Sequence, residues 1–210
     1  MRHSICLISI AVLFVIACKD TKEPSDANFA TAINQYLTKH GAACTVIGRG
    51  FPIDLPRSEQ SEQYGIGPKL AALEQAGLVH ASDTTAVVQG MLDPLRGSTP
   101  PQPVKRYELT VDGKKYFQQI PGTLGQASGF CYGHKSVDAI VKWTEPTAAG
   151  PSSQTEVTYT YRIVDPANWA QRPEVQQTFS DIRTTINGAS KTAEVAGLQL
   201  TSNGWEVPGQ

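Results

Sequence analysis

Apolar residues are spaced differently in successive parts of the chain, and each spacing predicts a different structure. Residues 5–17 form an almost unbroken apolar run behind one basic residue, Arg2. A helix that spans a bilayer needs about 20 apolar residues, so this shorter run predicts a cleaved export signal over residues 1–17. Residues 18–27 are polar and show no periodicity, which predicts a short tether.

From residue 28 the apolar positions follow the period of a helix. The spacing predicts one helix capped by Asn28 and ended by Gly41, and a second that begins near Pro68 and ends at Gly77. Four short strands and one short helix capped by Thr110 are also expected: strands at 44–47, 78–81, 86–88 and 104–109, and the helix through residue 117.

The second half of the chain alternates apolar and polar residues with a period of two. This pattern predicts two antiparallel strands over residues 137–144 and 156–163, joined by an exposed loop at 147–153. A helix is expected over 173–186. A final hairpin is expected from strands at 192–200 and 204–207.

Glycines cluster in residues 121–129 and indicate a boundary between the two halves. We therefore expect an α+β protein with a first domain over residues 28–120 and a second over 129–208. The second domain is predicted to be a small antiparallel sheet with one helix.

Composition and charge narrow the classes of function. The chain has 210 residues, of which 40% are hydrophobic and 18% charged, values typical of a globular protein. The predicted signal contains one basic residue and no acidic one, so its removal changes the net charge from −1 to −2. Binding to a phosphate backbone depends on clustered Lys and Arg, so no nucleic acid is expected as a partner.

The end of the apolar run, Val15-Ile16-Ala17-Cys18, resembles the lipobox of bacterial lipoproteins. The resemblance implies cleavage before Cys18 and acylation of its thiol, with palmitate among the attached chains. The next residue is Lys19 and not Asp, which by the sorting rules of such lipoproteins implies the outer membrane, facing the periplasm. The predicted partners are thus the membrane, through the lipid, and an envelope protein.

Two cysteines, Cys44 and Cys131, remain after Cys6 leaves with the signal and Cys18 takes the lipid. Two thiols in an oxidising compartment predict a disulfide. The alternative is a pair of unpaired buried cysteines. A metal site built from these cysteines with His40 and His134 is a further alternative, but an oxidised cysteine is not a thiolate ligand.

Two motifs in the first half resemble those of winged-helix domains. They are Leu70-x-x-Leu73-Glu74-x-x-Gly77-Leu78-Val79 and Tyr107-x-Leu109-Thr110-x-x-Gly113-x-x-Tyr116. In bacterial regulators a segment like the first ends the recognition region, and a segment like the second follows the wing. The resemblance therefore implies a winged-helix-like part over residues 28–120. A recognition helix that reads DNA carries several basic residues, whereas this one has only Lys69. The resemblance therefore implies a reused scaffold.

No catalytic motif is present in the sequence, and no catalytic, metal-binding or cofactor-binding residues are predicted. Ser128 lies in a glycine-rich stretch whose spacing differs from that of a nucleophile turn. Asp138, Glu145 and Glu156 are candidates for paired carboxylates, although carboxylates beside strands usually lie on solvated faces. Whether the protein is an enzyme stays open.

The predicted partner surface is the proline-rich loop at residues 93–103 together with Trp169. Within that loop, Pro94 and Arg96 are the candidate contact residues, because prolines pre-order a loop and lower the entropy lost on binding. Trp169 is a candidate anchor, with a place in the core as the alternative.

The predicted function is a non-enzymatic protein-binding module: an adaptor, an envelope assembly factor or an inhibitor. The alternatives are an enzyme that processes an envelope polymer and a winged-helix regulator that binds DNA.

Overall fold

One long strand organises the molecule. In the computed structural model, which describes residues 20–88, 100–122, 125–149 and 152–209, this strand is β6 (Gly125–Trp143). Elements from both halves of the chain pair with it or pack on it, so that β6 is shared by two hydrophobic cores.

The remaining elements are a set of short helices and strands. The helices are α1 (Asp26–His40), α2 (Arg57–Gln60), α3 (Ile66–Gln75), α4 (Val111–Tyr116), α5 (Pro173–Thr178) and α6 (Ser180–Gly188), with a 3-10 helix at Asn168–Gln171. The strands are β1 (Ala42–Val46), β2 (Ile53–Pro56), β3 (Val79–Ala86), β4 (Gln102–Leu109), β5 (Phe117–Gly122), β7 (Thr147–Ala149), β8 (Ser152–Val164), β9 (Ala193–Thr201) and β10 (Gly204–Glu206). None of the helices in the described ranges is long and apolar enough to cross a membrane.

The larger sheet is antiparallel and curled. Its strand order is β1-β6-β8-β9-β10, with β5 paired to β6 and β7 paired to β8. The two strands predicted from the period-two pattern pair as expected, from His134 opposite Val164 to Trp143 opposite Val157. Two irregularities in this register bend β6, since each adds an unmatched residue to one strand.

The smaller sheet has the order β2-β4-β3. Residues 78–81 and 86–88 were expected to form two separate strands, but β3 is one continuous strand of eight residues. The polar residues between them fit because β3 is an edge strand with one exposed face. This sheet packs against α3 and carries the candidate site described below.

Two cores lie along β6. The first, here called the α1 core, lies between α1 and the larger sheet and consists of Phe29, Ala32, Ile33, Leu37, Val137, Val157, Tyr159, Tyr161, Leu198 and Trp205. The second, here called the aromatic core, joins α3, the smaller sheet and the first half of β6, and its large members include Leu70, Leu73, Tyr107, Phe130, Tyr132, Trp169 and Phe179. Ile163 packs against both cores.

Helix α1 runs antiparallel to β6. At its start, the Trp143 indole donates a hydrogen bond of 3.0 Å to the Asp26 carboxylate. At its end, the Lys135 amide donates a bond of 2.7 Å to the Gly41 carbonyl. The first turn of α1 therefore lies at one end of β6, and the aromatic core lies at the other.

Strand pairing crosses the predicted domain boundary at 121–129. The glycines there belong to a hairpin in which β5 pairs with β6 from Phe117 opposite Phe130 to Gly122 opposite Gly125. Strand β1, from the first half of the chain, pairs with β6, and α1 packs on β6 and β10. The glycine cluster therefore marks a hairpin in this sheet.

Three smaller differences concern local structure. The helix expected over 173–186 is two helices, α5 and α6, separated at Phe179. Residues expected to form the 147–153 loop contribute β7, which pairs with the start of β8. The cap of α1 is Ser25, whose hydroxyl accepts a hydrogen bond from the Asn28 amide, and not Asn28 itself.

Candidate functional site

A groove runs over the smaller sheet between its strands and helices α2 and α3. It consists of two adjoining cavities of about 280 and 380 Å³, both of which are lined by Gln60 and Lys105. We call this surface the α2–α3 groove. Its other lining residues are Leu55, Arg57, Gly67, Pro68, Ala71, Asp83, Thr84, Pro103, Val104 and Tyr107.

The floor of the groove follows from strand register. Leu55 lies opposite Lys105, and Tyr107 is two residues further along the same face of β4. Leu55 and Tyr107 are buried, and burial raises the pKa of the Tyr107 phenol. The floor is therefore apolar, while Lys105 at the outer end of the same face adds a positive charge.

Small residues on α3 keep the groove open. Gly67 is buried, and a Cβ atom there would lie only 3.2 Å from the Glu59 carbonyl oxygen. Pro68 and Ala71 continue the wall with short side chains. Gln60 fixes one corner, because its side-chain amide donates a hydrogen bond of 2.8 Å to the Leu55 carbonyl.

The charged residues on the groove's described rim give it a net charge of +1, which weakly favours an acidic ligand. Arg57 and Lys105 are the basic residues that line it, and Asp83 is the acidic one. Arg57 and Asp83 are exposed, so their charges reach solvent. An apolar floor with a basic rim is suited to a peptide segment that combines an apolar side chain with acidic neighbours.

The opposite face of the smaller sheet carries paired charges. The Arg106 guanidinium donates two hydrogen bonds, of 2.7 and 2.8 Å, to the Asp54 carboxylate. The bond from Arg106 holds the pKa of Asp54 below its usual value. His80 lies 3.6 Å from Glu108 on the same face. Each of these charged groups therefore has a partner of opposite charge within the sheet.

A second polar cluster closes the α1 core near the end of α1. Glu194 accepts from the Lys135 ammonium and from the Tyr159 hydroxyl, and Lys135 also lies 4.2 Å from the centre of the Tyr161 ring. Burial raises the pKa of Tyr159. Each charge in this cluster is met within the protein, which is the requirement for a partly buried ion pair.

The predicted disulfide is present. Cys44 and Cys131 are bonded and lie opposite each other on β1 and β6. Neither sulfur is therefore a thiolate. Within the described ranges, no group of three or more His, Cys, Asp and Glu side chains is placed to hold a metal ion. His40 instead stacks on Tyr36, with ring centres 4.5 Å apart.

The carboxylates considered for catalysis do not converge on the groove. Asp138, Glu145 and Glu156 are all exposed on or beside the larger sheet, away from the residues that line the α2–α3 groove. Ser128 is buried, and its hydroxyl accepts a hydrogen bond of 3.1 Å from Gln119.

Trp169 is buried, which corrects its placement at a partner surface. Only 5% of it is exposed, and its ring meets Tyr116, Phe130 and Tyr132 edge-to-face. The prolines on either side suggested a segment too short to cover the ring. The covering side chains come from distant elements, above all β6. The other candidates, Cys18, Pro94 and Arg96, lie outside the described residues.

The residues of the groove were missed by the sequence analysis. A signal was present in Phe51-Pro52-Ile53-Asp54-Leu55-Pro56, where two prolines enclose an alternating apolar pair. That pattern is typical of a short edge strand, which β2 is. The pairing of β2 with β4 is what turns this strand into a groove floor.

No protein-family model, curated protein or solved structure matches this chain.

Proposed function

We propose that this protein is an envelope lipoprotein that binds a partner protein through the α2–α3 groove. The observation that supports the proposal is the groove itself, with its apolar floor of Leu55 and Tyr107 and its basic rim of Arg57 and Lys105. The lipobox-like segment ending at Cys18 supports attachment to the outer membrane on its periplasmic side. Together these features favour a module that presents a binding surface from the membrane.

The proposed occupant is an extended segment of the partner with one apolar side chain and acidic flanking residues. The apolar side chain contacts Leu55 and Tyr107, beside the short residues of α3. The acidic flank meets Arg57 and Lys105. Charge complementarity of this kind mainly sets specificity and the association rate, while burial of the apolar side chain supplies affinity.

Two observations favour binding over catalysis on an envelope polymer. Most glycoside hydrolases use two carboxylates, whereas one carboxylate, Asp83, lines the groove in the described part of the chain. The candidate carboxylates elsewhere are exposed and separate from the groove.

We further propose that the segment from β2 to α4 reuses a winged-helix-like scaffold without its DNA-binding role. The order β2-β4-β3, with α3 leading into β3 and Thr110 capping α4, supports the resemblance. The single lysine of α3, Lys69, lies 5.9 Å from the centre of the Phe179 ring. Its charge is thus placed against α5 and the aromatic core rather than free to meet a phosphate.

Site-specific photo-crosslinking in intact cells tests the groove. Incorporation of p-benzoylphenylalanine at Gln60 is expected to give one discrete protein adduct, and incorporation at Lys142, an exposed residue of the larger sheet, is the matched control. Ala71→Trp, which fills the groove, is expected to remove the adduct.

The charged rim is tested with the purified adduct partner. Lys105→Glu is expected to weaken binding by up to about tenfold, mainly through a slower association rate, because a rim charge steers the partner toward the groove. Lys142→Glu is expected to leave binding unchanged, because Lys142 does not line the groove. Equal adducts at positions 60 and 142, or an adduct that survives Ala71→Trp, would contradict the groove as the binding site.

A further inference from the structure

The segment that follows the proposed lipid-bearing cysteine is bound to the body of the protein. The Asn28 side-chain amide donates hydrogen bonds of 2.7 Å to the Asp20 carbonyl and 2.9 Å to the Glu23 carbonyl. The Trp205 indole donates a third, of 3.1 Å, to the Lys22 carbonyl. Both donors are inside the protein, with Asn28 8% and Trp205 4% exposed.

Close packing holds the same segment against the β9–β10 turn. The Thr21 hydroxyl donates to the Asn203 carbonyl at 3.3 Å. A Cβ atom on Gly204 would lie 2.9 Å from the Thr21 carbonyl oxygen, and Gly204 has a positive φ of 119°, so only glycine fits there without strain. Residues 20–25 are therefore a fixed part of the fold, here called the N-terminal clamp, where the sequence predicted a tether.

Covalent geometry limits the distance between the N-terminal clamp and the proposed lipid anchor. Consecutive Cα atoms are 3.8 Å apart, so the Cα of Cys18 lies no more than about 8 Å from that of Asp20. We propose that the N-terminal clamp makes one end of the body, formed by the first turn of α1 and the β9–β10 turn, the surface that lies against the bilayer. This inference rests on the proposed acylation of Cys18.

The long strand β6 sets where the groove then lies. Trp143, at one end of β6, bonds to Asp26 beside the N-terminal clamp, while Phe130, near the other end, belongs to the aromatic core under the smaller sheet. The 19 residues of β6 correspond to about 60 Å of extended chain before bending. The clamp therefore holds the α2–α3 groove away from the lipid, on the side of the protein that faces the proposed periplasmic partner.

Charge does not account for this orientation. The end of the body formed by the N-terminal clamp, the first turn of α1 and the β9–β10 turn is here called the clamped end. Its described residues include three exposed acidic side chains, Asp20, Glu23 and Asp26, and one exposed basic side chain, Lys22. Such a surface is not attracted to anionic lipid headgroups. The contact is imposed by the covalent anchor and the clamp, and added salt is not expected to release it.

Fluorescence quenching on vesicles tests the orientation in the full-length acylated protein. With Cys18 acylated and Cys44 bonded to Cys131, an introduced cysteine is the thiol available for labelling. Ser202→Cys places a label in the β9–β10 turn, and Ser58→Cys places one on α2 beside the groove; both serines are exposed. The vesicles are phosphatidylethanolamine and phosphatidylglycerol with a quencher on a fraction of the headgroups.

Quenching is expected to be severalfold stronger at position 202 than at position 58, at low and at high salt. A flexible Gly/Ser linker of about ten residues inserted between Lys19 and Asp20 spans roughly 17 Å on average and leaves the clamp intact. It is expected to bring quenching at position 202 down to the level at position 58. Asn28→Ala is expected to lower the difference partly.

Two outcomes overturn the inference: equal quenching at the two positions in an acylated protein, or quenching at position 202 that the linker does not reduce. Mass spectrometry of Cys18 separates this failure from that of the proposed anchor. If Cys18 carries no acyl chain and the protein does not bind the vesicles, the anchor and the inference both fail. If Cys18 is acylated, only the orientation is wrong.

Discussion

Trp205 and Trp169 are both buried, but their indole N–H groups differ in hydrogen bonding. Trp205 lies at the clamped end of the molecule and donates to the Lys22 carbonyl. Trp169 lies in the aromatic core, and its N–H has no hydrogen-bond acceptor among the described residues. Its neighbours are the rings of Tyr116, Phe130 and Tyr132, which approach it edge-to-face.

This difference separates two ways of fixing structure. The clamped end uses directional hydrogen bonds from buried side chains to the backbone of an otherwise featureless segment, and so defines one position for residues 20–25. The opposite end, which carries the aromatic core and the α2–α3 groove and is here called the groove end, uses ring packing and a disulfide. These fill space and join strands, but they leave the Trp169 N–H without an acceptor among the described residues. An unmatched buried donor costs about 1–3 kcal/mol, so the aromatic core gives up some stability that the α1 core retains.

The largest expected effect comes from breaking the covalent link at the groove end. The Cys44–Cys131 bond closes a loop with a sequence separation of 87 residues, for which loop-closure entropy gives a stabilisation of about 4–5 kcal/mol. The double variant Cys44→Ala with Cys131→Ala is expected to lose that much free energy of unfolding in urea titrations.

Hydrogen exchange on the same double variant distinguishes the two ends of the molecule. Amides of β1 and β5 are expected to lose more protection than those of β9, because β1 and β5 pair with β6 near the disulfide. Equal loss of protection in all three strands would show that the two cores unfold as one unit.

A smaller effect is expected at Gly113, where the groove end is packed through backbone. A Cβ atom on Gly113 would overlap the Leu78 carbonyl oxygen, which also accepts hydrogen bonds from the Thr110 amide and hydroxyl. Gly113→Ala is expected to cost about 3 kcal/mol, since neither backbone segment can move independently.

Gly197, in β9 of the larger sheet, is the matched control. A Cβ atom there meets nothing within 4 Å, so Gly197→Ala is expected to change the free energy of unfolding by less than about 1 kcal/mol. The measurement is the urea midpoint of each variant at constant slope. If both glycines behave alike, the backbone contact at Leu78 is not what constrains this end.

The local features of these ends were predictable from sequence. The end of α1 at Gly41, the cap of α4 by Thr110, the alternating strands of β6 and β8, and the disulfide all follow from short-range patterns or from residue counts. The Thr110 hydroxyl accepts from the Gly113 amide at 2.9 Å, as the Leu-Thr-x-x-Gly spacing indicates. Apart from the disulfide, which follows from the number of cysteines, these features depend on residues within a few positions of each other.

Features that depend on distant pairing were not predictable in the same way. The clamp joins residues more than 180 positions apart in sequence, and nothing in residues 18–27 marks them as bound. The burial of Trp169 comes from rings on β6 and α4, which its own segment does not reveal. The groove needs β2 beside β4, a pairing set by the register of the smaller sheet.

Substitution of each tryptophan in turn tests whether the hydrogen bond of Trp205 makes it more stabilising than Trp169. Trp→Phe at either site removes similar volume, so the packing losses are comparable. Trp205→Phe also removes the bond to Lys22, whereas Trp169→Phe removes an unmatched donor. Trp205→Phe is therefore expected to be more destabilising, by about 1–2 kcal/mol, in parallel urea titrations. The reverse order would indicate that the Trp169 N–H is satisfied in solution.

The smallest expected effect is the pH dependence of stability from the Asp54–Arg106 pair, which lies on the face of the smaller sheet opposite the groove. Arg106 holds the pKa of Asp54 below its ordinary value, so the unfolded chain takes up the proton first as the pH falls. The stability from this pair is present above the ordinary carboxyl pKa and is lost as the pH falls through the lowered one, below about pH 5.

Asp54→Asn is expected to be less stable than the wild type at pH 7 and to lose less stability on acidification. Urea midpoints between pH 7 and pH 3 measure this, with Asp138→Asn, an exposed carboxylate of β6, as the control. The gap between Asp54→Asn and the wild type should narrow as the pH falls, because protonation removes from the wild type the same charge that the variant lacks. A gap that stays constant over this range would mean that the bond to Arg106 does not depend on the charge of Asp54, and that the groove end is no more acid-sensitive than the clamped end.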